Sequence, residues 1–212
     1  MGEVSDRRAA NSARRDDLGR ASTGQPEGGT LSAERSALIA RPSLILVGLP
    51  GVGKSTIGAA VAARLGWPFV DFDVEIERRE GMSVTELFRT RGEAYFRGCE
   101  RRLGEELAGR GGMVLAPGGG WIVQPGQVAL LRPPGRIIYL AASPAAVAAR
   151  LGAGRASRPL LAGGDVVDRL ARLLADREPA YRTADLVVDT ELIDEQEVIC
   201  RVLALAGASG AR

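Results

Sequence analysis

The stretch Gly48-Leu-Pro-Gly-Val-Gly-Lys-Ser55 matches the pattern G-x-x-x-x-G-K-[ST]. An apolar run (43–48) precedes it, and Ile57, Val61 and Leu65 follow four residues apart, so the motif joins a strand to a helix. In that setting backbone N–H groups surround a phosphate, and the helix N-terminus adds partial positive charge. The stretch therefore predicts a nucleotide phosphate loop, the alternative being a glycine-rich turn that only joins the two elements.

Lys54 is the only lysine among the 28 basic residues of the chain. An ammonium is a compact point charge that can bridge two phosphates inside a tight loop, whereas the planar guanidinium is wider. The neighbouring Ser55 hydroxyl can ligate Mg²⁺. The loop thus predicts binding of ATP with Mg²⁺ by Gly51, Val52, Gly53, Lys54, Ser55 and Thr56.

Composition excludes several kinds of chemistry. The chain has no histidine, which removes Ser-His and Cys-His nucleophile pairs and most zinc sites. Cys99 and Cys200 form no metal-ligand pattern, which indicates reduced thiols in a cytoplasmic protein. A net charge of +2 gives no indication of a nucleic-acid partner. Phosphoryl transfer fits what is left, because it relies on positioning and positive charge.

The chain divides into two parts near residue 40. Residues 1–40 are polar with almost no apolar periodicity, so we expect a disordered extension, the alternative being that translation starts further in. The start has no apolar segment typical of a secretory signal, and no run is long enough to cross a bilayer. Residues 41–208 are expected to form the folded domain, with a Pro/Gly-rich lid near 152–164.

Short apolar runs alternate with helical patterns throughout this domain. The pattern predicts a three-layer α/β/α sandwich with a mostly parallel five-stranded sheet. We expect helices over 73–81, 83–92 and 92–110, a helix over 166–182 broken near Pro179, and a final helix over 194–207. Asp71 and Asp73 follow the second strand and Gly118–Gly120 follow the third, so both should face the ligand crevice at the strand ends.

Seven short motifs in this order resemble the shikimate kinase family, over about 43–189: GLPGVGKST, DFDVEIE, GMSVTELF, GEAYFR, PGGG, RPLL and REPAYR. The resemblance implies a P-loop fold like that of nucleoside monophosphate kinases. It also implies transfer of the γ-phosphate of ATP to the 3-hydroxyl of shikimate. It further implies a monomer that has no nucleic-acid or membrane partner.

The resemblance assigns a role to each matching residue. Lys54 and the loop hold the phosphates, Ser55 and Asp71 hold Mg²⁺, and Asp73 contacts the accepting hydroxyl. The shikimate carboxylate is assigned to Arg97, Arg182 and the glycines Gly118, Gly119 and Gly120. Arg158 corresponds to a lid arginine over the γ-phosphate, and Arg150 to a residue lining the adenine.

Several of these residues also have a purely structural interpretation. Glu93, Arg97 and Arg101 are four apart on a helix, so Arg97 could form an ordinary surface ion pair. Asp73 could cap the following helix, Gly118–Gly120 could form a plain turn, and Arg158 before Pro159 suits any extended loop. Arg182 could simply be solvated, and Cys99 is expected to be a packing residue.

Trp121 occupies a position where the family would have a small residue, directly after the three glycines. Its indole either points into the sheet and leaves the pocket intact or narrows it. Two other functions are therefore kept as alternatives. One is a kinase for another small carboxylated polyol such as gluconate, and the other is a non-catalytic ligand-sensing domain. Against the sensing domain, Lys54, Ser55, Asp71 and Asp73 are all present.

Overall fold

The apolar segments of the sequence form one sheet in which every strand pair is parallel. A computed structural model describes residues 41–151 and 165–207. The sheet has five strands in the order β2-β3-β1-β4-β5, which confirms the predicted fold class. In chain order the strands are β1 (Leu44–Val47), β2 (Phe69–Asp71), β3 (Val114–Ala116), β4 (Arg136–Ala141) and β5 (Leu186–Asp189).

Helices cover both faces of this sheet. Strand β1 shows why, because Leu44 and Leu46 belong to one buried cluster while Ile45 and Val47 belong to another, as the strand alternation requires. In chain order the helices are α1 (Lys54–Leu65), α2 (Phe72–Glu80), α3 (Val84–Leu107), α4 (Gln127–Leu131), α5 (Pro144–Leu151), α6 (Val166–Tyr181) and α7 (Glu195–Gly207).

Six of the seven helices named above pack against one of the two clusters, and α6 packs against both. Helices α1, α5 and α7 contribute buried residues to the first cluster, and α2, α3 and α4 to the second. Helix α6 contributes to both, through Val166 and Leu170 near its start and Tyr181 at its end. The predicted three-layer arrangement follows from this division.

Local signals in the sequence explain where most helices begin and end. Gly66 ends α1 with φ 64° and Ser83 caps the start of α3 by accepting a 3.2 Å hydrogen bond from the Glu86 N–H. Gly92 interrupts α3 with φ 80° and ψ 168°, at the residue where the sequence predicts two helices to meet. The two predicted helices are therefore one kinked element.

Two sequence-based predictions need correction. Helix α6 is not broken at Pro179 but continues to Tyr181. Pro179 lies in the last turn, where losing one backbone hydrogen bond costs little against the burial of Arg177 and Tyr181 on the same helix. A short 3₁₀ helix (Trp121–Val123) and α4 were not predicted, because they are too short to show periodicity.

The remaining expectations about the whole chain concern thiols and membranes. Cys99 is buried and Cys200 exposed, and both are free thiols. None of the described helices combines the length and apolar character that a membrane span requires. The predicted extension (1–40) and the predicted lid (152–164), including Arg158, lie outside the described residues.

Candidate active site

The phosphate loop lies between β1 and α1, as predicted. Gly48, Gly51 and Gly53 all have positive φ, and Gly53 is the residue from which α1 begins. The Lys54 ammonium donates hydrogen bonds of 3.1 Å to the Gly48 and Leu49 carbonyls. These bonds hold the only lysine of the chain over the loop, at the N-terminus of α1, where positive charge and backbone N–H groups favour an anion.

Asp71 contacts both the loop and the next helix. Its Oδ2 accepts a 2.5 Å hydrogen bond from the Ser55 hydroxyl, and its Oδ1 accepts from the Asp73 and Val74 N–H groups at 3.0 and 3.4 Å. Asp71, and not Asp73, is therefore the N-cap of α2. The cap explanation considered for Asp73 is wrong.

The oxygens of Ser55 and Asp71 suit a magnesium ion, which prefers hard oxygen ligands and commonly takes one or two protein groups plus phosphates and water. Within the described ranges no cluster of three or more acidic, cysteine or histidine side chains could hold a metal. Magnesium at a site of this kind would take its other ligands from nucleotide phosphates and water. The pair fits the Mg²⁺ that an ATP-dependent reaction needs.

A cleft of about 450 Å³ brings the predicted phosphate and metal residues together. It is lined by the loop, by Asp71 and Asp73 at the end of β2, and by Arg150 at the end of α5. A second cleft of about 390 Å³ continues from it past Thr56 and Arg150 towards the start of α7. The Arg150 guanidinium is fixed there by hydrogen bonds of 2.8 and 2.7 Å to the Thr190 hydroxyl and carbonyl.

The three glycines after β3 form a tight turn. The Trp121 N–H donates to the Gly118 carbonyl at 2.9 Å, and Gly120 has φ −92° and ψ 0°, which are the angles of the third residue of a type I turn. A β-carbon built on Gly118 would lie 3.6 Å from Asp73 Oδ1. The glycine turn is thus close to the carboxylate that lines the phosphate cleft.

Arg97 contacts this turn from α3. A β-carbon on Gly120 would come within 2.7 Å of Arg97 Nη2, so only glycine allows this approach. The guanidinium is only 12% exposed and donates to Glu93 at 2.7 Å and to Glu100 at 2.6 Å. Arg97 does form the ion pair with Glu93 that its spacing suggests, but it is held largely inside the protein.

Glu100 was not singled out from the sequence. Its side chain is fully buried, and Oε1 has no hydrogen-bond partner among the described residues. Burial raises the pKa of Glu100, Arg97 opposes this rise, and nearby Asp73 adds to it. Its other oxygen, Oε2, accepts the 2.6 Å bond from Arg97, so this buried carboxylate holds the Arg97 guanidinium in place.

Arg177 was also missed. It lies on α6 and is only 7% exposed, and its Nη1 has no hydrogen-bond partner among the described residues. The same nitrogen would lie 3.3 Å from a β-carbon on Gly119. The sequence holds only part of this signal: Arg177 falls seven residues after Leu170 and so on the same helical face, but the spacing does not show that this face is buried beside the glycine turn.

Arg182 has a different environment from the one predicted. Its side chain is 64% exposed, and Nη2 donates to Glu178 one helical turn earlier at 2.5 Å. Arg182 is not among the nearest neighbours of any of the three glycines, whereas Arg97 and Arg177 are. The structure therefore brings together Asp73, Arg97, the glycines and Arg177, but not Arg182.

Trp121 points into the protein. It is fully buried in the cluster on the α3 side of the sheet, and its Nε1 donates a 3.0 Å hydrogen bond to the buried Gln127. Of the two positions considered for the indole, the structure shows the one that points into the protein, not the one that narrows the pocket. A large residue fits directly after the glycines because the 3₁₀ turn directs its side chain away from them.

These features define the class of protein. A parallel sheet of order β2-β3-β1-β4-β5, a phosphate loop after β1 and carboxylates at the end of β2 are the parts of a P-loop phosphotransferase. A family model described as shikimate kinase matches residues 50–206. The chain belongs to the shikimate kinase family.

Individual relatives agree with this assignment. A shikimate kinase of Bradyrhizobium diazoefficiens is 42% identical over 164 residues, which cover 77% of this chain and 78% of that protein. A solved structure of the shikimate kinase from Acinetobacter baumannii in complex with shikimate is 32% identical, with a TM-score of 0.76. The match to that structure covers 84% of this chain and 99% of that one. A gluconokinase from Sinorhizobium meliloti, 21% identical with a TM-score of 0.51 over 79% of this chain and 95% of that one, shares the fold alone.

Proposed function

We propose that the chain catalyses transfer of the γ-phosphoryl group of ATP to the 3-hydroxyl of shikimate, giving shikimate 3-phosphate and ADP, with Mg²⁺ as cofactor. Family membership and the relative solved with shikimate support this function. One structural observation in particular supports shikimate as the acceptor. Two inward-facing arginines, Arg97 and Arg177, approach a glycine turn next to the phosphate cleft, as a small carboxylate would require.

Asp73 is the residue proposed to contact the accepting hydroxyl. Its carboxylate lines the phosphate cleft and lies beside Gly118, so it sits between the two halves of the site. A carboxylate there can accept the hydroxyl hydrogen bond, orient the oxygen for in-line attack and take its proton. Lys54 stabilises charge on the transferred group, and Ser55 and Asp71 would hold Mg²⁺.

Arg97, Arg177 and the glycine turn are proposed to bind the carboxylate. Guanidinium groups form paired hydrogen bonds with carboxylates, and such charge-assisted bonds contribute about 1.5–3 kcal/mol each. Arg177 takes the part that the sequence assigned to Arg182, because it is buried beside Gly119 while Arg182 is exposed and paired with Glu178. A neutral analogue would leave the buried Arg177 Nη1 without a charged partner, so we expect rejection by about 10⁴-fold.

Other parts of the proposal concern residues around this centre. Arg150 is proposed to line the adenine, since its flat guanidinium borders both clefts and is held by Thr190. Arg158 is proposed as a lid arginine over the γ-phosphate, on family resemblance alone. A cytoplasmic, monomeric enzyme completes the proposal.

The two alternatives are less well supported. The likeness to a gluconokinase, which acts on another carboxylated polyol, extends to the fold only. A sensing domain would not need the Ser55–Asp71 pair, which is proposed to hold Mg²⁺. Shikimate phosphorylation uses every group in the site.

The test is ADP release from purified protein with Mg·ATP, in the presence and absence of shikimate. We expect strong stimulation by shikimate, and its loss in Asp73→Asn, which keeps the size of the side chain but removes the charge. ATP binding without stimulation would reject this acceptor. A screen of small carboxylated polyols would then separate another kinase from a sensing domain.

A further inference from the structure

Tyr181 connects helix α6 to the glycine turn. Its hydroxyl donates a 2.5 Å hydrogen bond to the Gly119 carbonyl, and its side chain is fully buried. The ring stacks on Tyr139 of β4, with the ring centroids 4.9 Å apart and the planes 21° from parallel. Ring and hydroxyl are thus both fixed, so the Gly119 carbonyl has a partner in a defined position.

The bond to Gly119 also sets the direction of the next N–H group. The Gly119 carbonyl and the Gly120 N–H belong to one planar trans peptide, in which they point in opposite directions. Neither the Gly119 nor the Gly120 N–H has an acceptor in the part of the chain that the structure describes. A type I turn uses only the N–H of its fourth residue, here Trp121, so the turn itself leaves both of these groups available to an anion.

Tyr181 donates this bond throughout the physiological pH range. Burial raises the pKa of Tyr181 to about 12, and the neighbouring Arg177 guanidinium only partly opposes that rise. Arg177 and Tyr181 are four residues apart on α6, so one rigid helix places both the guanidinium and the hydroxyl against Gly119.

We propose that Tyr181 is a positioning residue for the acceptor carboxylate: by holding the Gly119 carbonyl, it aims the Gly120 N–H at the carboxylate beside Arg97 and Arg177. This inference rests on the proposed function, because it assumes that the glycine turn binds the carboxylate of shikimate. Under this proposal, recognition of the carboxylate depends on Tyr181, a residue that does not itself touch the substrate.

Tyr181→Phe tests the inference, since it removes the hydroxyl and keeps the ring. Gly119 is partly exposed, so water can hydrate its carbonyl and the variant is expected to fold. We expect the KM for shikimate to rise about 5–10-fold through loss of one oriented hydrogen bond, with kcat and the KM for ATP nearly unchanged. Tyr139→Phe is the matched control, because it removes the other hydroxyl of the stacked pair.

A second substrate separates positioning from a general structural effect. With shikimate methyl ester, which lacks the charged carboxylate, Tyr181→Phe should change kcat/KM little. The preference for shikimate over the ester should therefore fall about 5–10-fold. Equal losses with both substrates, or an unchanged KM for shikimate, would overturn the inference. If the wild-type protein does not phosphorylate shikimate, the proposed function itself fails.

A measurement on the wild-type protein needs no variant. Saturating shikimate should shift the Gly120 amide resonance and slow its hydrogen exchange, because the N–H gains an acceptor. The methyl ester should do neither. A Gly120 amide that does not respond to shikimate, in a protein that does turn shikimate over, would overturn the inference while leaving the proposed function intact.

Discussion

The Ser55 hydroxyl and the Asp71 carboxylate lie 2.5 Å apart, across the gap between the phosphate loop and the end of β2. The other oxygen of Asp71 caps helix α2. One side chain therefore holds the loop serine and begins the helix that carries Asp73. The two roles use different oxygens, so substitution can separate them.

Asp71→Asn should raise the Mg²⁺ concentration needed for half-maximal activity by about 10–100-fold, as loss of a charged group next to a metal ligand does. Asparagine caps helices as well as aspartate does, so the variant should lose no more than about 1 kcal/mol of stability. Magnesium titration of the ADP-release rate checks this. Asp165→Asn changes the matching cap of α6 and should leave the requirement unaltered; an unaltered requirement in Asp71→Asn would contradict the metal role.

Lys54→Arg should lower kcat by about 10²–10³-fold, the cost of losing one well-placed donor in the transition state. The wider guanidinium cannot occupy the position from which the ammonium reaches the Gly48 and Leu49 carbonyls. Steady-state kinetics at saturating ATP and shikimate give the answer. The reverse exchange, Arg64→Lys in the last turn of the same helix, should have no effect. Wild-type turnover in Lys54→Arg would mean that the lysine is there by chance.

The sequence was sufficient for features that depend on local pattern. The phosphate loop, the five strands, the helix end at Gly66 and the break at Gly92 all follow from glycine positions and apolar spacing. The arginine facing the glycine turn could not be chosen in the same way. Arg177 lies in the second half of α6 and Arg182 directly follows that helix, and only the structure shows that Arg177 is the one buried beside Gly119.

Arg177→Lys should raise the KM for shikimate about 10–100-fold while changing the KM for ATP little. Lysine keeps the charge but loses the paired hydrogen bonds that a guanidinium gives a carboxylate. Arg182→Ala should leave both constants near their wild-type values, because it removes only an exposed pair with Glu178. Comparing the two KM values in both variants tests the assignment. The opposite result, a selective rise in Arg182→Ala alone, would restore the prediction made from sequence.

Trp121→Phe should destabilise the fold without altering acceptor binding. It leaves the Gln127 carbonyl oxygen without its donor in a buried position, which costs about 1–3 kcal/mol, and adds a small cavity. Urea unfolding and the KM for shikimate are the two measurements. Trp67→Phe replaces the other, partly buried tryptophan and should cost less. A changed KM with unchanged stability would show that the indole narrows the pocket after all.

Glu75 should make the stability of the fold depend on pH in acid. Hydrogen bonds from Arg78 and then Arg79 lower the pKa of Glu75 to about 2, from an ordinary value of 4.5. Because the folded-state pKa is the lower one, the stabilising effect is complete above pH 4.5 and is lost as the pH falls towards 2. The difference in free energy of unfolding between wild type and Glu75→Gln should therefore be greatest near neutral pH, shrink on acidification and weaken with added salt.

Urea titrations at several pH values measure this difference, with Glu105→Gln as control, since the Glu105 side chain makes no ion pair with any described residue. A difference that grows as the pH falls would have the wrong sign for this carboxylate.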